Sequence, residues 1–143
     1  MKNELQKELY LRHETLLKRS RYKEYKRCAI IERGLEVDDG WFNIINDMLR
    51  DIEKLCQNYN KMPLILQIKE KFGLLRVYFK YTDLEELDNK LDEIIESYVN
   101  RSKTTCECCG SPGNVQDVHG RLKSVCHKCK VKLICIKTID DDY

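Results

Sequence analysis

The chain has 143 residues, of which 42% are hydrophobic and 35% charged, with a formal net charge of +2. That length fits about one domain with a small appendage, and the apolar share is enough to form a core, so the composition excludes a mainly disordered chain. No run approaches the roughly 20 uncharged apolar residues that cross a bilayer, and the first 30 residues are charged throughout, unlike a signal peptide. The expectation is therefore a cytoplasmic protein with no membrane partner. The small net charge hides alternation: residues 1–34 carry +5, 35–60 −4, 61–81 +4, 82–100 −6 and 101–143 +3.

Leu5, Leu9, Tyr10, Leu16 and Leu17 recur through the segment from Asn3 to about Arg19 as an imperfect helical stripe, in which His13 reads as an exposed residue. From Ser20 to Asp39 the pattern weakens into a basic run around Tyr22 and Tyr25, followed by the apolar Cys28 to Ile31. Trp41, Ile45, Met48, Ile52, Leu55 and Tyr59 then line one face of the strongest helix in the chain, with Asp39 placed to cap it. Glu36, Asp38 and Asp39 resemble a hydrolytic metal site only superficially, since a cap and first-turn charges account for them.

Pro63 ends that helix, and Leu64 to Tyr81 reads as two strands joined by a tight turn near Phe72-Gly73. Strand alternation places Leu64, Leu66 and Ile68 with Leu75, Val77 and Phe79 on an inner face. It places Gln67, Lys69 and Lys71 with Arg76, Tyr78 and Lys80 on an outer one. A last amphipathic helix carries Leu84, Leu87, Leu91, Ile94, Ile95, Tyr98 and Val99 inward and acidic residues outward. Cys28 and Cys56 sit in apolar company as buried thiols. The fold class is α+β, with helices packed on a β-hairpin in a body spanning 1–103.

Six of the eight cysteines fall between Cys106 and Cys135. In a reducing compartment they read as metal ligands rather than disulfides. Cys106-Glu107-Cys108-Cys109 and Cys126-His127-Lys128-Cys129 form two C-x-x-C pairs 16 residues apart, the spacing of a four-cysteine zinc ribbon or knuckle. Two residues between thiolates let a tight turn aim both sulfurs at one ion. Cys106, Cys109, Cys126 and Cys129 are thus the expected Zn2+ ligands of a module over 104–137, with Cys108, Cys135, His119 and His127 as substitutes. A closed thiolate shell leaves no position for water, so the metal is structural. The acidic residues of 138–143 form a solvated tail.

Three stretches resemble a group of short, largely uncharacterised bacterial and phage proteins, over roughly Gly34 to Cys129. They are Asp39-Gly40-Trp41-Phe42, then Gln67-Ile68-Lys69-Glu70-Lys71-Phe72-Gly73 with Leu75-Arg76 and Tyr78, and Cys106 to Gly113 ahead of a later cysteine pair. The chain has Val37-Asp38 where that group often has Cys-Gly, and Cys129 where it often has histidine. The resemblance names no activity, but phage company implies a regulator or blocker of a host process.

No His-Glu-x-x-His, Gly-rich phosphate loop or nucleophile motif is present, so the reading is a binding protein rather than an enzyme. Gln67, Lys69, Lys71, Arg76, Tyr78 and Lys80, with Arg121 and Lys123 of the zinc segment and Lys128, Lys130 and Lys132 beyond, suit phosphate contacts and base stacking. Nucleic acid, DNA or RNA, is the first partner expected. The same face is otherwise a solvated sheet whose lysines pair with the acidic helix, or a surface gripping a protein, such as a host enzyme or defence factor.

Overall fold

The computed structural model describes residues 1–140, the side chains of 137–140 apart. In chain order the elements are α1 (Asn3–Arg12), α2 (Glu14–Leu17), a 3-10 turn (Arg19–Tyr22), α3 (Ala29–Arg33), a second 3-10 turn (Asp39–Trp41) and α4 (Phe42–Gln57). The hairpin β1 (Leu64–Lys71) and β2 (Leu74–Lys80) follows, then α5 (Glu85–Ser102). A second hairpin, β3 (Asn114–Val118) and β4 (Arg121–Val125), leads into α6 (His127–Asp140). The architecture is α+β with two small antiparallel sheets. Among the described residues no helix is long and apolar enough to cross a membrane. Residues 141–143 of the expected acidic tail lie outside the described residues.

Helices α4 and α5 follow their 3.6-residue stripes. Ile44, Ile45, Met48, Leu49, Ile52 and Cys56 of α4, and Leu87, Leu91, Ile95 and Tyr98 of α5, enter one core with Trp41, Leu9, Leu16 and Tyr22. The two helices pack on each other, and α5 also covers β2. The first helix is shorter than the sequence suggests. It breaks at His13, which is buried rather than exposed, with Nδ1 2.9 Å from Glu53 Oε1 and Nε2 2.8 Å from Asn46 Oδ1. The break turns the imidazole from the solvent side onto α4, where two polar groups satisfy both ring nitrogens.

The weakly patterned stretch before Asp39 also has a defined place. Leu35 and Val37 are buried, and Glu36 between them bridges Lys69 in parallel, with Glu36 N–H on Ile68 O at 3.0 Å and Glu70 N–H on Glu36 O at 3.1 Å. This single bridge occupies the outer edge of β1, an edge that would otherwise offer unpaired backbone groups.

The hairpin departs from simple alternation at one point. A register shift between Ile65 and Gln67 takes Leu66 out of the pleat, so Ile65 and Ile68 are fully buried while Leu66 is half-buried. Beyond the bulge the outer face keeps its order: Gln67 opposite Tyr78, Lys69 opposite Arg76, Lys71 opposite Leu74. Asp39 does not cap α4. Its carboxylate accepts the Lys2 N–H at 2.8 Å and no side chain caps the helix, because the 3-10 turn through Trp41 satisfies the entry in its place.

Candidate metal centre and the groove beside it

The second C-x-x-C pair is built on a helix start. Cys126 precedes α6, and its sulfur takes the Cys129 N–H at 3.4 Å, the position an N-cap oxygen would fill. The first pair sits on a tight turn, in which Gly110 N–H bonds Cys106 O at 2.9 Å and Cys106 N–H bonds Ser111 O at 2.8 Å. Together they bring the sulfurs of Cys106, Cys109, Cys126 and Cys129 within 4.8 Å of one another. A tetrahedral ion with metal–sulfur bonds of about 2.3 Å needs sulfurs about 3.8 Å apart. Cys109 and Cys126 stand at 3.8 Å. The cluster therefore has the ligand set and spacing to hold a metal ion.

The four thiols differ in their electrostatics. Hydrogen bonds from Ser111 pull the Cys109 thiol down to about 6. Burial, and then the neighbouring thiols, push Cys129 far up, since adjacent thiolates repel unless an ion neutralises them. The site is asymmetric: Cys106 is fully buried, Cys126 and Cys129 half-buried, Cys109 exposed. The possible substitutes Cys108, His119, His127 and Cys135 are outside the cluster. Burial holds the Cys108 thiol up at about 11, which keeps it protonated.

Beneath the cluster lies a dense contact with the helical body. Gly40 N–H donates to Glu107 O at 2.7 Å, Trp41 Nε1–H to Thr105 O at 2.9 Å, and Asp38 N–H to Glu107 Oε1 at 3.1 Å. Ser124 Oγ donates to Ser102 O at 2.8 Å, tying β4 to the end of α5. Gly40 is required by space: a Cβ there would stand 2.3–2.5 Å from Cys106 O, Glu107 O and Gly110 N. Glu107 is buried, and burial pushes its carboxyl up to about 7 against the pull of Lys123, 3.6 Å away. No periodic pattern announces this contact, because it rests on the absence of a side chain at one position.

Glu36, Asp38 and Asp39 do not converge. Glu36 accepts from Gln67 at 2.9 Å and Arg33 at 3.2 Å, Asp38 faces Lys123 at 3.7 Å, and Asp39 faces Lys2 at 3.7 Å.

The tip of the first hairpin packs on the flank of the second beside a groove of about 530 Å³, lined by Lys69, Glu70, Lys71 and Phe72 on one side and Gly120, Arg121, Leu122 and Lys123 on the other. Four of the eight residues expected at a binding face thus share one groove. Arg76 and Tyr78 continue the hairpin side of it by register. Lys80 is drawn to the Tyr25 ring, 5.4 Å from its centroid, and Gln67 to Glu36. Lys123 is engaged with Asp38 and Glu107, whereas among the described residues no carboxylate lies within 4.0 Å of Lys69, Lys71, Arg76 or Arg121. Two of the α5 carboxylates are engaged elsewhere: Glu86 pairs with Lys90 at 3.2 Å and Asp92 accepts Tyr81 Oη–H at 3.1 Å. Lys130 Nζ donates to Gln116 at 3.1 Å, outside the groove. Compared with known protein families, curated proteins and solved structures, the chain matches none.

Proposed function

We propose that this is a non-enzymatic, zinc-containing regulatory protein that contacts nucleic acid along the groove between its two hairpins. One observation carries the reading. Lys69, Lys71 and Arg121, from separate hairpins, line a single groove with no carboxylate partner of their own, beside Phe72 and Leu122, which are 64% and 46% exposed. Clustered unpaired cations neutralise phosphates whatever the net charge, and apolar groups between them suit bases.

Zinc is the metal of choice for four thiolates in tetrahedral array, and with all four positions filled by protein it fixes shape rather than activating water. Its task here is to hold β3–β4 where Arg121 meets β1. The test is titration of the zinc form against labelled single- and double-stranded DNA and RNA over a salt series, beside a Lys69→Ala/Lys71→Ala/Arg121→Ala variant. Binding that weakens steeply with salt, with a log–log slope about two to three units shallower in the variant, is expected. Absence of binding at low salt would sink the reading.

A second reading, a phage-type inhibitor or adaptor that grips a host protein, has its own observation. Helix α6 exposes Val131, Ile134 and Ile136, at 44%, 36% and 59%. An apolar interface there would show little salt dependence.

A further inference from the structure

The turn between β1 and β2 is out of keeping with its own sequence. Lys71 pairs with Leu74, leaving a two-residue loop of Phe72 and Gly73, and both have positive φ, +56° and +78°. That conformation suits Asn-Gly, because asparagine and glycine tolerate the left-handed region. A bulky aromatic residue there is an outlier. Burial does not explain it, since Phe72 is 64% exposed.

The conformation is held from outside the residue. Gly73 N–H donates to Glu70 Oε1 at 2.8 Å, and Gly73 is pressed against the second hairpin so closely that a Cβ would stand 3.0 Å from Val115 Cγ1 of β3 and 3.3 Å from the main chain of Lys123 of β4. The fold therefore fixes a strained turn and presents an aromatic ring at its tip. Residues held this way concentrate at binding sites.

The ring's surroundings define its ligand. Lys71 Nζ lies 5.6 Å from the Phe72 centroid, and the ring lines the groove with Lys69, Arg121 and Leu122. Along the same sheet face stands a second aromatic residue, Tyr78, 46% exposed, with the Lys69–Arg76 pair between it and the turn. Aromatic faces alternating with unpaired cations match alternating bases and phosphates. Bases inside a duplex are stacked on one another and show a protein only their edges, whereas those of a single strand offer their faces.

We infer that Phe72 is a base-stacking residue and that the ligand of the groove is single-stranded nucleic acid. The inference rests on the nucleic-acid reading above and adds strand state and the residue that selects it.

The experiment is fluorescence anisotropy of the zinc-loaded full chain with a labelled 12-nucleotide single strand and the matching duplex, for the wild type, Phe72→Asn, Phe72→Trp and Lys69→Ala/Lys71→Ala. Asparagine suits the turn, so Phe72→Asn keeps or raises the melting temperature and isolates the ring. Expected are single-strand binding at least about tenfold tighter than duplex, and a loss on the order of 5- to 150-fold in Phe72→Asn with an unchanged salt slope. Phe72→Trp restores affinity, and its emission is quenched on binding. The stacking role is overturned if Phe72→Asn binds within about twofold of wild type, or if duplex binds equally well, while the lysine variant still loses affinity. In that case the groove reading survives. No binding of either nucleic acid at low salt overturns both and leaves Phe72 to a protein partner.

Discussion

The two hairpins share one turn plan and differ in what holds them. Glu70, Phe72 and Gly73 in the first correspond to Asp117, His119 and Gly120 in the second: an acidic side chain accepts the glycine N–H, at 2.8 and 3.0 Å, and both loop residues have positive φ. The first hairpin then lays Ile65, Ile68 and Leu75 into a core shared with α4 and α5. The second has only Val118 and Val125, packed with Cys106. Local turn chemistry shapes a hairpin, but a two-stranded sheet is marginal in water and needs a source of cohesion. One hairpin draws it from burial; the other has beside it the four-cysteine cluster, which could supply it by holding a metal ion.

Metal removal breaks the comparison most sharply. With a strong chelator, or in Cys126→Ser, amide protection over 114–125 falls to that of an unfolded peptide, while α4 and α5 keep theirs. For the proposed zinc site the loss corresponds to roughly 10 kcal/mol or more. Retained protection in β3–β4 would show that its small apolar cluster suffices.

Next in size is Gly40→Ala. Its Cβ would meet main-chain oxygen and nitrogen atoms that have no room to yield, and overpacking against backbone costs about 3 kcal/mol. The expected outcome is a lowered denaturation midpoint with the cysteine cluster still able to take cobalt(II), read from the thiolate–metal absorption. An unchanged midpoint would mean that the docking contact contributes little.

The finest comparison is between the two turn glycines. Gly120→Ala meets nothing within 4 Å, so it costs only the strain of a positive φ, about 1 kcal/mol. Gly73→Ala adds the clash with Val115 of β3 and Lys123 of β4 and falls further, by about an extra 1 kcal/mol. Equal losses in chemical denaturation would remove the difference drawn between a packed tip and an open one.

What the sequence made legible follows the range of each signal. The C-x-x-C pairs were readable because ligand spacing is local, and α4 and α5 because a 3.6-residue stripe repeats along the chain. The outer order of the first hairpin was readable too. The bulge at Leu66 was not, since three consecutive apolar residues, Leu64, Ile65 and Leu66, fit either phase of a strand. Helix α6 is not legible because its apolar residues lie around its whole circumference, with Val131, Ile134 and Ile136 exposed, so no stripe announces it. His13 and Gly40 take their roles from atoms far along the chain, Glu53 and Asn46 for one and Cys106 to Gly110 for the other. The Asp39-Gly40-Trp41 and Glu70 to Gly73 stretches, singled out as motifs, both touch the cysteine module, which gives them a structural task before any binding one.

The uneven exposure of the four cysteines would set a direction for losing a bound ion. A competing ligand can reach Cys109 from solvent, but Cys106 is fully buried and its turn is clasped by Gly40. Departure therefore begins at an open door and ends at a closed one, which opens only when the helical body lets go. The residence time of a bound metal would then report release of the cysteine module from the helical body, shorter in Gly40→Ala and independent of how much chelator waits outside.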